Sequence, residues 1–337
     1  MKRIGYLFEK ITAFDNLQHA ARSTLIGKKY KKEGAWFYFH LENLLIQLQE
    51  ELITGKYQLG PYRVFPIRDP KPRMIAAAPL RDRVVHHALC RIIGPILERS
   101  LIYDTYACRL GRGTHAAVAR AQSFCRGASY YLKCDIRKYF ASIRHDVLKN
   151  MLARLIKDAR VLVLLEKIID HCLPGAEPGV GLPIGNLTSQ YFANLYLGRL
   201  DHFIKEKLRI KSYVRYMDDF ILFAGEKEWL RGALLEIREF LDAHLRLRLK
   251  EKAVFLAPVN QGAPFLGFQI FPGTLRLNRA KWARFQKTVR RLERAYLAGF
   301  LEEELLGARV ESMIGHIQHA DTLFARKTFF MGSCQLG

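Results

Sequence analysis

The stretch SYVRYMDDFILFA, Ser212–Ala224, sets two aspartates between two runs of apolar and aromatic residues. Such runs favour extended chain, and their meeting at a polar pair predicts a hairpin with Asp218 and Asp219 at its tip. Aspartate is common in turns, and an isolated Asp-Asp is by default a structural turn. Here the flanks Tyr213-Val214-Arg215-Tyr216 and Phe220-Ile221-Leu222-Phe223 press the pair against a core, where uncompensated charge is unfavourable. A divalent cation would compensate it. Asp135 ends another β-rich run, Tyr130-Tyr131-Leu132-Lys133-Cys134, and supplies a third carboxylate. Three hard oxygen donors suit two magnesium ions, which keep coordination positions for phosphate and water, with manganese as a substitute. The chemistry that follows is nucleotidyl transfer by in-line displacement, with no side-chain nucleophile.

Outward from this stretch the chain alternates strands and helices. The first part, to about Tyr57, reads as helical: Asp15 or Asn16 can cap one helix, and LENLLIQLQEEL has helical periodicity before Gly55 stops it. GPYRVFPIRDPKPRMIAAAP, residues 60–79, reads as a basic hairpin turning at Asp69-Pro70-Lys71-Pro72. A helix follows from Arg81 to about Leu101, and another with Thr114 as its cap. SIRHDVLKNMLARLI is helical again, and GLPIGNLTSQYFANL is a glycine-punctuated loop feeding a helix. Strands interleaved with helices and hairpins predict an α+β domain. Near the C-terminus Asn278 can cap a helix with Trp282, Phe285, Val289, Leu292 and Tyr296 in one stripe. Arg279, Lys281, Arg284, Lys287, Arg290 and Arg291 occupy its other faces, as a helix along a phosphate backbone would require, or as any solvated basic face would.

Composition narrows the partners. The 337 residues, half of them apolar, exceed the length at which one core keeps growing, so two or three subdomains are expected. Lysine and arginine number 54 against 32 acidic residues, and the resulting +22 is spread from Lys28 to Arg326. A cationic surface that releases counterions from a polyanion points to nucleic acid. No apolar run spans a bilayer and MKRIGYLFEK lacks the core of a signal peptide, so a cytoplasmic location without membrane contact is expected. Six scattered cysteines without a C-x-x-C pair fit reduced thiols, and His316 and His319 lack a third ligand for a metal.

YMDD, together with DIRKYF after a strand, resembles the catalytic motifs of reverse transcriptases. PRMIAAAPLRDRVVHHAL is similar to the fingers segment of group II intron-type enzymes, and FLGFQI to the element joining palm to thumb. The resemblance implies a right-hand polymerase of α+β class: an N-terminal extension over residues 1–59, fingers and palm over 60–273, and a basic helical thumb over 274–337. It makes Asp135, Asp218 and Asp219 the metal ligands. Arg73, with Lys71 nearby, would grip the incoming dNTP triphosphate, Phe140 would crowd a ribose 2′-hydroxyl, and Lys252 would lie near the pyrophosphate. Ile184, Gly185 and Gln190 of LPIGNLTSQ fall beside the incoming nucleotide, and Arg279, Lys281, Arg284, Lys287 and Arg291 along the RNA/DNA hybrid.

Most enzymes of this kind carry glutamine where Ile184 stands and proline where Gln190 stands. The departure, with the N-terminal FEKITAFDNLQHAARSTLIGKK, resembles the enzymes of diversity-generating retroelements. That resemblance implies error-prone copying of a template RNA at adenines and a small basic helical accessory protein as partner. A retron or phage-defence reverse transcriptase shares the same motifs, and an RNA-binding scaffold that had lost synthesis would not need all three aspartates.

Overall fold

The computed structural model describes residues 3–68, 72–171, 175 and 177–333. The N-terminal amphipathic sequence forms α1 (Phe8–Thr12), α2 (Phe14–Leu25), α3 (Lys32–Phe39) and α4 (Leu41–Ile53). Asp15 and Asn16 do not cap α2: its N-cap is Ala13, and Asn16 instead donates from Nδ2 to the carbonyls of Ile11 and Ala88. The basic hairpin is β1 (Arg63–Arg68) paired antiparallel with β2 (Pro72–Ala77). Its turn, with Lys71, lies outside the described residues. Next come α5 (Leu80–Arg99) and α6 (Thr114–Cys125). Thr114 is helical rather than a cap; Gly113 precedes it at φ 116°, a conformation open to glycine. The order continues with β3 (Tyr130–Asp135), α7 (Tyr139–Ser142), α8 (His145–Leu155), α9 (Ala159–Asp170) and α10 (Leu187–His202). Then follow β4 (Tyr213–Tyr216), β5 (Asp219–Ala224), α11 (Lys227–Phe240), β6 (Phe255–Pro258), β7 (Ala263–Phe265), β8 (Phe268–Ile270) and β9 (Leu275–Leu277). Three helices close the chain: α12 (Arg279–Leu297), α13 (Glu303–Ile317) and α14 (Leu323–Ser333).

These elements gather into two units, each drawn from three stretches of chain. The first holds Met1–Tyr103, Ile136–Phe203 and Ile237–Arg248. Its helices α2, α5 and α10 pack through Leu17, Ala21, Val84, Leu89 and Ile93, all buried. A Cβ on Gly94 would stand 3.0 Å from the Tyr191 ring, so this glycine lets α5 approach α10 closely. Buried Asp82 is satisfied by the Tyr57 hydroxyl and the Gly60 amide, each at 2.8 Å.

The second unit holds Asp104–Asp135, Ile204–Glu236 and Leu249–Gly337. It contains an antiparallel sheet in the order β4-β5-β3-β6 and a smaller one, β7-β8-β9. Val118, Ala121, Tyr131, Ile221, Phe223, Phe265 and Phe268 join α6 to both sheets in one core. Each of the valine, isoleucine and phenylalanine side chains contributes about 1.5–3 kcal/mol when fully buried. Helices α12 to α14 close around Phe285, Val289, Ile317 and Phe329. The side chain of Asn278 caps α12 as expected, accepting from the Ala280 amide at 2.8 Å. Among the described residues no helix is long and apolar enough to cross a membrane. Cys90, Cys125 and Cys134 are buried, while Cys108 is exposed.

Candidate active site

The Asp-Asp pair lies where the sequence places it. Strands β4 and β5 pair from Tyr213↔Leu222 to Tyr216↔Asp219, leaving Met217 and Asp218 as a two-residue loop. Tight hairpins of this length need positive φ, a demand glycine usually meets. Here Met217 meets it at φ 57°. The fully buried Arg215 secures the turn, donating from Nη1 to the Met217 carbonyl at 3.0 Å. On the other side of β5, Asp135 is the direct antiparallel partner of Asp219. Residues so paired hold their Cβ atoms roughly 5 Å apart, and chain connectivity adds Asp218 next door.

Burial pushes the Asp219 carboxyl up to about 7; Lys133 opposes the shift, while Asp135 and Asp218 add to it. Lys133 Nζ stands 3.6 Å from Oδ2 of Asp219, while its Oδ1 is buried without a hydrogen-bond partner. Among the described residues no group of three or more acidic, histidine or cysteine side chains is arranged so that it could hold a metal ion. An orphaned carboxylate oxygen beside two further carboxylates nevertheless fits a hard divalent cation that keeps several of its waters.

In the other unit, the LPIGN loop is held by main-chain bonds. The Ala76 amide of β2 donates to the Ile184 carbonyl, and the Leu182 amide to the Phe140 carbonyl, both at 2.8 Å. Gly185, at φ 119°, lies so close to β2 that a Cβ would stand 2.8 Å from Cγ2 of Ile75 and 3.1 Å from the Ala76 carbonyl oxygen. Ile184 and Phe140 are half-buried, Arg73 on β2 is exposed, and Gln190 lies half-buried in the first turn of α10. Phe140, Ile184, Gly185 and the strand bearing Arg73 are therefore connected through a short chain of backbone contacts.

A family model described as "Reverse transcriptase (RNA-dependent DNA polymerase)" matches residues 66–270, most of the chain. The chain belongs to the reverse transcriptase family. It is thus an RNA-directed DNA polymerase by family, of a kind that works with divalent metals. Protein YkfC of Escherichia coli (strain K12) is 29% identical over 318 residues, covering 80% of this chain and 83% of that protein. Group II intron-encoded protein LtrA of Lactococcus lactis subsp. cremoris is 22% identical over 298 residues, covering 68% and 50%. The putative COX1/OXI3 intron 1 protein of Saccharomyces cerevisiae (strain ATCC 204508 / S288c) is 22% identical over 312 residues, covering 73% and 37%. The chain therefore spans half or less of these two intron proteins. An apo telomerase from Candida tropicalis, truncated from its C-terminal domain, superposes with a TM-score of 0.51 at 13% identity, covering 69% of this chain and 59% of that one. The antiparallel sheets and surrounding helices are those of the right-hand polymerase fold.

The remaining expected residues of this reverse transcriptase divide by exposure. Lys252 is exposed on a turn, Glu251–Ala253, whose preceding Lys250 amide donates to the Asp135 carbonyl at 2.8 Å. Arg279, Arg284, Lys287 and Arg291 are exposed along α12. Lys281 is not: it is half-buried and donates to the Leu266 carbonyl at 2.9 Å. Sequence reading passed over Lys133 and Arg215. Lys133 was findable, since residues two apart in a strand share a face and it precedes Asp135 by two. Arg215 stood in an apolar run as a charge whose burial only the structure shows.

Proposed function

We propose that Asp135, Asp218 and Asp219 hold two magnesium ions and that the enzyme copies a template RNA into cDNA from dNTPs. The observation that carries this is the register Asp135↔Asp219 with Asp218 next to it, in a fold of this family. Divalent cations bound there would lower the pKa of a primer 3′-hydroxyl and steady the leaving pyrophosphate. The chain's own residues do the rest. Arg73 offers a planar multi-donor head to the triphosphate, with Lys71 and Lys252 as further cations. The ring of Phe140 excludes a ribose 2′-hydroxyl, and Ile184, Gly185 and Gln190 shape the pocket for the nascent pair. The exposed Arg279, Arg284, Lys287 and Arg291 follow the backbone of the RNA/DNA hybrid. Residues 1–59, 60–273 and 274–337 then serve as N-terminal extension, fingers with palm, and thumb.

The finer reading is a diversity-generating retroelement enzyme, supported by Ile184 and Gln190 in LPIGNLTSQ, that miscopies adenines and works with a small basic helical accessory protein. The names of the intron-encoded relatives favour a second reading, copying of an intron RNA. A template repeat and a variable repeat differing at adenines beside the gene would decide for the first. Primer extension by Asp218→Asn tests the site: loss of synthesis with RNA binding retained is expected, and near-normal synthesis would overturn it.

A further inference from the structure

Lys281 occupies a place built for it. Strands β7 and β8 are joined by the two-residue loop Leu266-Gly267, both residues at positive φ, 50° and 82°. A Cβ at position 267 would collide with the Cε and Nζ of Lys281, so the missing side chain is the slot through which the lysine passes. At its end, Nζ donates to the Leu266 carbonyl at 2.9 Å and lies 3.1 Å from Nε2 of His316 on α13. The Asn278 amide, just before α12, also donates to the Gly267 carbonyl at 3.1 Å. One ammonium thus touches the β7–β8 turn, α12 and α13. Lysine has only donors, so the His316 nitrogen facing it must accept, and the imidazole must be neutral with its proton on Nδ1.

Among the described residues, the groups that act electrostatically on His316 and Lys281 are cations and histidines. From α6, His115 stacks on His319 with ring centroids 3.7 Å apart and lies 5.1 Å from His316. From α12 come Lys281 and the exposed Arg284; from α13 and the turn after it, His316 and His319; from β8, the Phe268 ring, 4.9 Å from the Lys281 ammonium. Asp321, beyond His319, is turned to accept from the Leu275 amide at 2.8 Å. Burial holds His316 and His115 below their ordinary value, and the neighbouring cations push the same way.

We propose that Lys281 is a positioning residue of the polymerase: it seats α12 and α13 on the Leu266-Gly267 turn, and the seat holds only while His316 accepts its bond. Its consequence for synthesis rests on the polymerase reading above. Protonated His316 loses its acceptor and sets a second cation against the ammonium. Because the folded state favours the neutral ring, the seat is complete above the ordinary histidine value of about 6.5 and is lost only as pH falls through the lower value that burial gives His316 in the folded protein. Helix α12 carries Arg284, Lys287 and Arg291, so a loosened seat weakens the grip on the hybrid more than it slows the first addition.

The test uses the whole protein on a primed RNA template with a heparin trap, comparing product length with the rate of first addition from about pH 7.5 down to about pH 5, so that the range passes well below the ordinary histidine value. In the parent, product length relative to first addition should drop about tenfold across this range, the loss of one charge-assisted hydrogen bond. Lys281→Met should show the short products already at the upper pH. His316→Gln, whose amide oxygen accepts but does not titrate, should keep the length and flatten the response. Hydrogen exchange over residues 279–317 of the free protein, corrected for the intrinsic pH dependence of amide exchange, should show protection falling with acid in the parent and not in His316→Gln. Full-length products from Lys281→Met, or an acid response unchanged in His316→Gln, would overturn the proposal. A parent that makes no DNA at either pH would defeat the polymerase reading, leaving exchange to decide the seat.

Discussion

The acidic hairpin and the LPIGN loop are held in place by different means. At the hairpin the functional groups are side-chain charges on a tight turn: Met217 takes a conformation glycine usually takes, buried Arg215 fastens it, and Asp219 keeps an oxygen without a partner. In the loop the hold is main-chain, through the Ile184 and Phe140 carbonyls and the close approach of Gly185 to β2. Charge at the hairpin has to be present and correctly placed for a cation to bind. The loop's position is set by its backbone, which leaves the Ile184 side chain free to vary without moving the loop. One region therefore tolerates no change of chemistry, and the other tolerates changes of side chain but not of backbone.

The largest expected effect lies at the hairpin. Asp218→Asn removes one carboxylate donor while leaving size and fold alone, and primer extension should fall by ~10³ or more. RNA affinity, measured by filter binding, should stay within about twofold because the cationic surface is intact. Next comes the backbone of the loop. Gly185→Ala adds a Cβ against Ile75 and Ala76 at a φ that costs about 1–3 kcal/mol for alanine, so extension should fall about tenfold to a hundredfold. If Gly185→Ala is harmless while Ile184 substitutions are severe, the contrast between the two regions fails.

How much was legible in the sequence follows the same division. A charged pair between apolar runs is visible because burying charge is so unfavourable, and the hairpin, β3 ending on Asp135 and the Asn278 cap all follow from local chemistry. The caps assigned to Asp15 and Thr114 failed because capping depends on the backbone angles of the preceding residues, and Ala13 and Gly113 supplied them. Lys281 looked like one more cation on a helical face. The empty space at Gly267 that takes it in is a contact across the fold, which no helical spacing reveals. Strand β9 was likewise missed, since three residues of it pair only because β8 is already in place.

Phe140 sharpens the comparison at the level of one ring. Its carbonyl holds the loop, and its half-buried side chain does not take part in that bond. Phe140→Ala should therefore leave the loop seated and relax sugar selection, letting ribonucleotides in by roughly tenfold or more in single-turnover incorporation. Unchanged selection between dNTP and rNTP would mean that the ring serves packing alone.

The smallest effect expected is at Ile184, and it bears on the retroelement reading. Its carbonyl accepts from the Ala76 amide whatever side chain the residue carries, so Ile184→Gln should keep the loop in place. A glutamine amide both donates and accepts, and can fix the sugar and base of a nascent pair in one orientation. Isoleucine supplies bulk without direction, so a mispair loses less relative to a correct pair. Each ~1.4 kcal/mol of lost discrimination raises errors tenfold, and a single neutral hydrogen bond contributes somewhat less. Sequencing cDNA made by parent and variant on one template should show misincorporation opposite adenine lowered several-fold by Ile184→Gln, with other template bases and total extension changing less. An unchanged adenine error rate would place any infidelity elsewhere in the pocket and remove the mechanism offered for adenine miscopying, while leaving the metal site proposed at the acidic hairpin untouched.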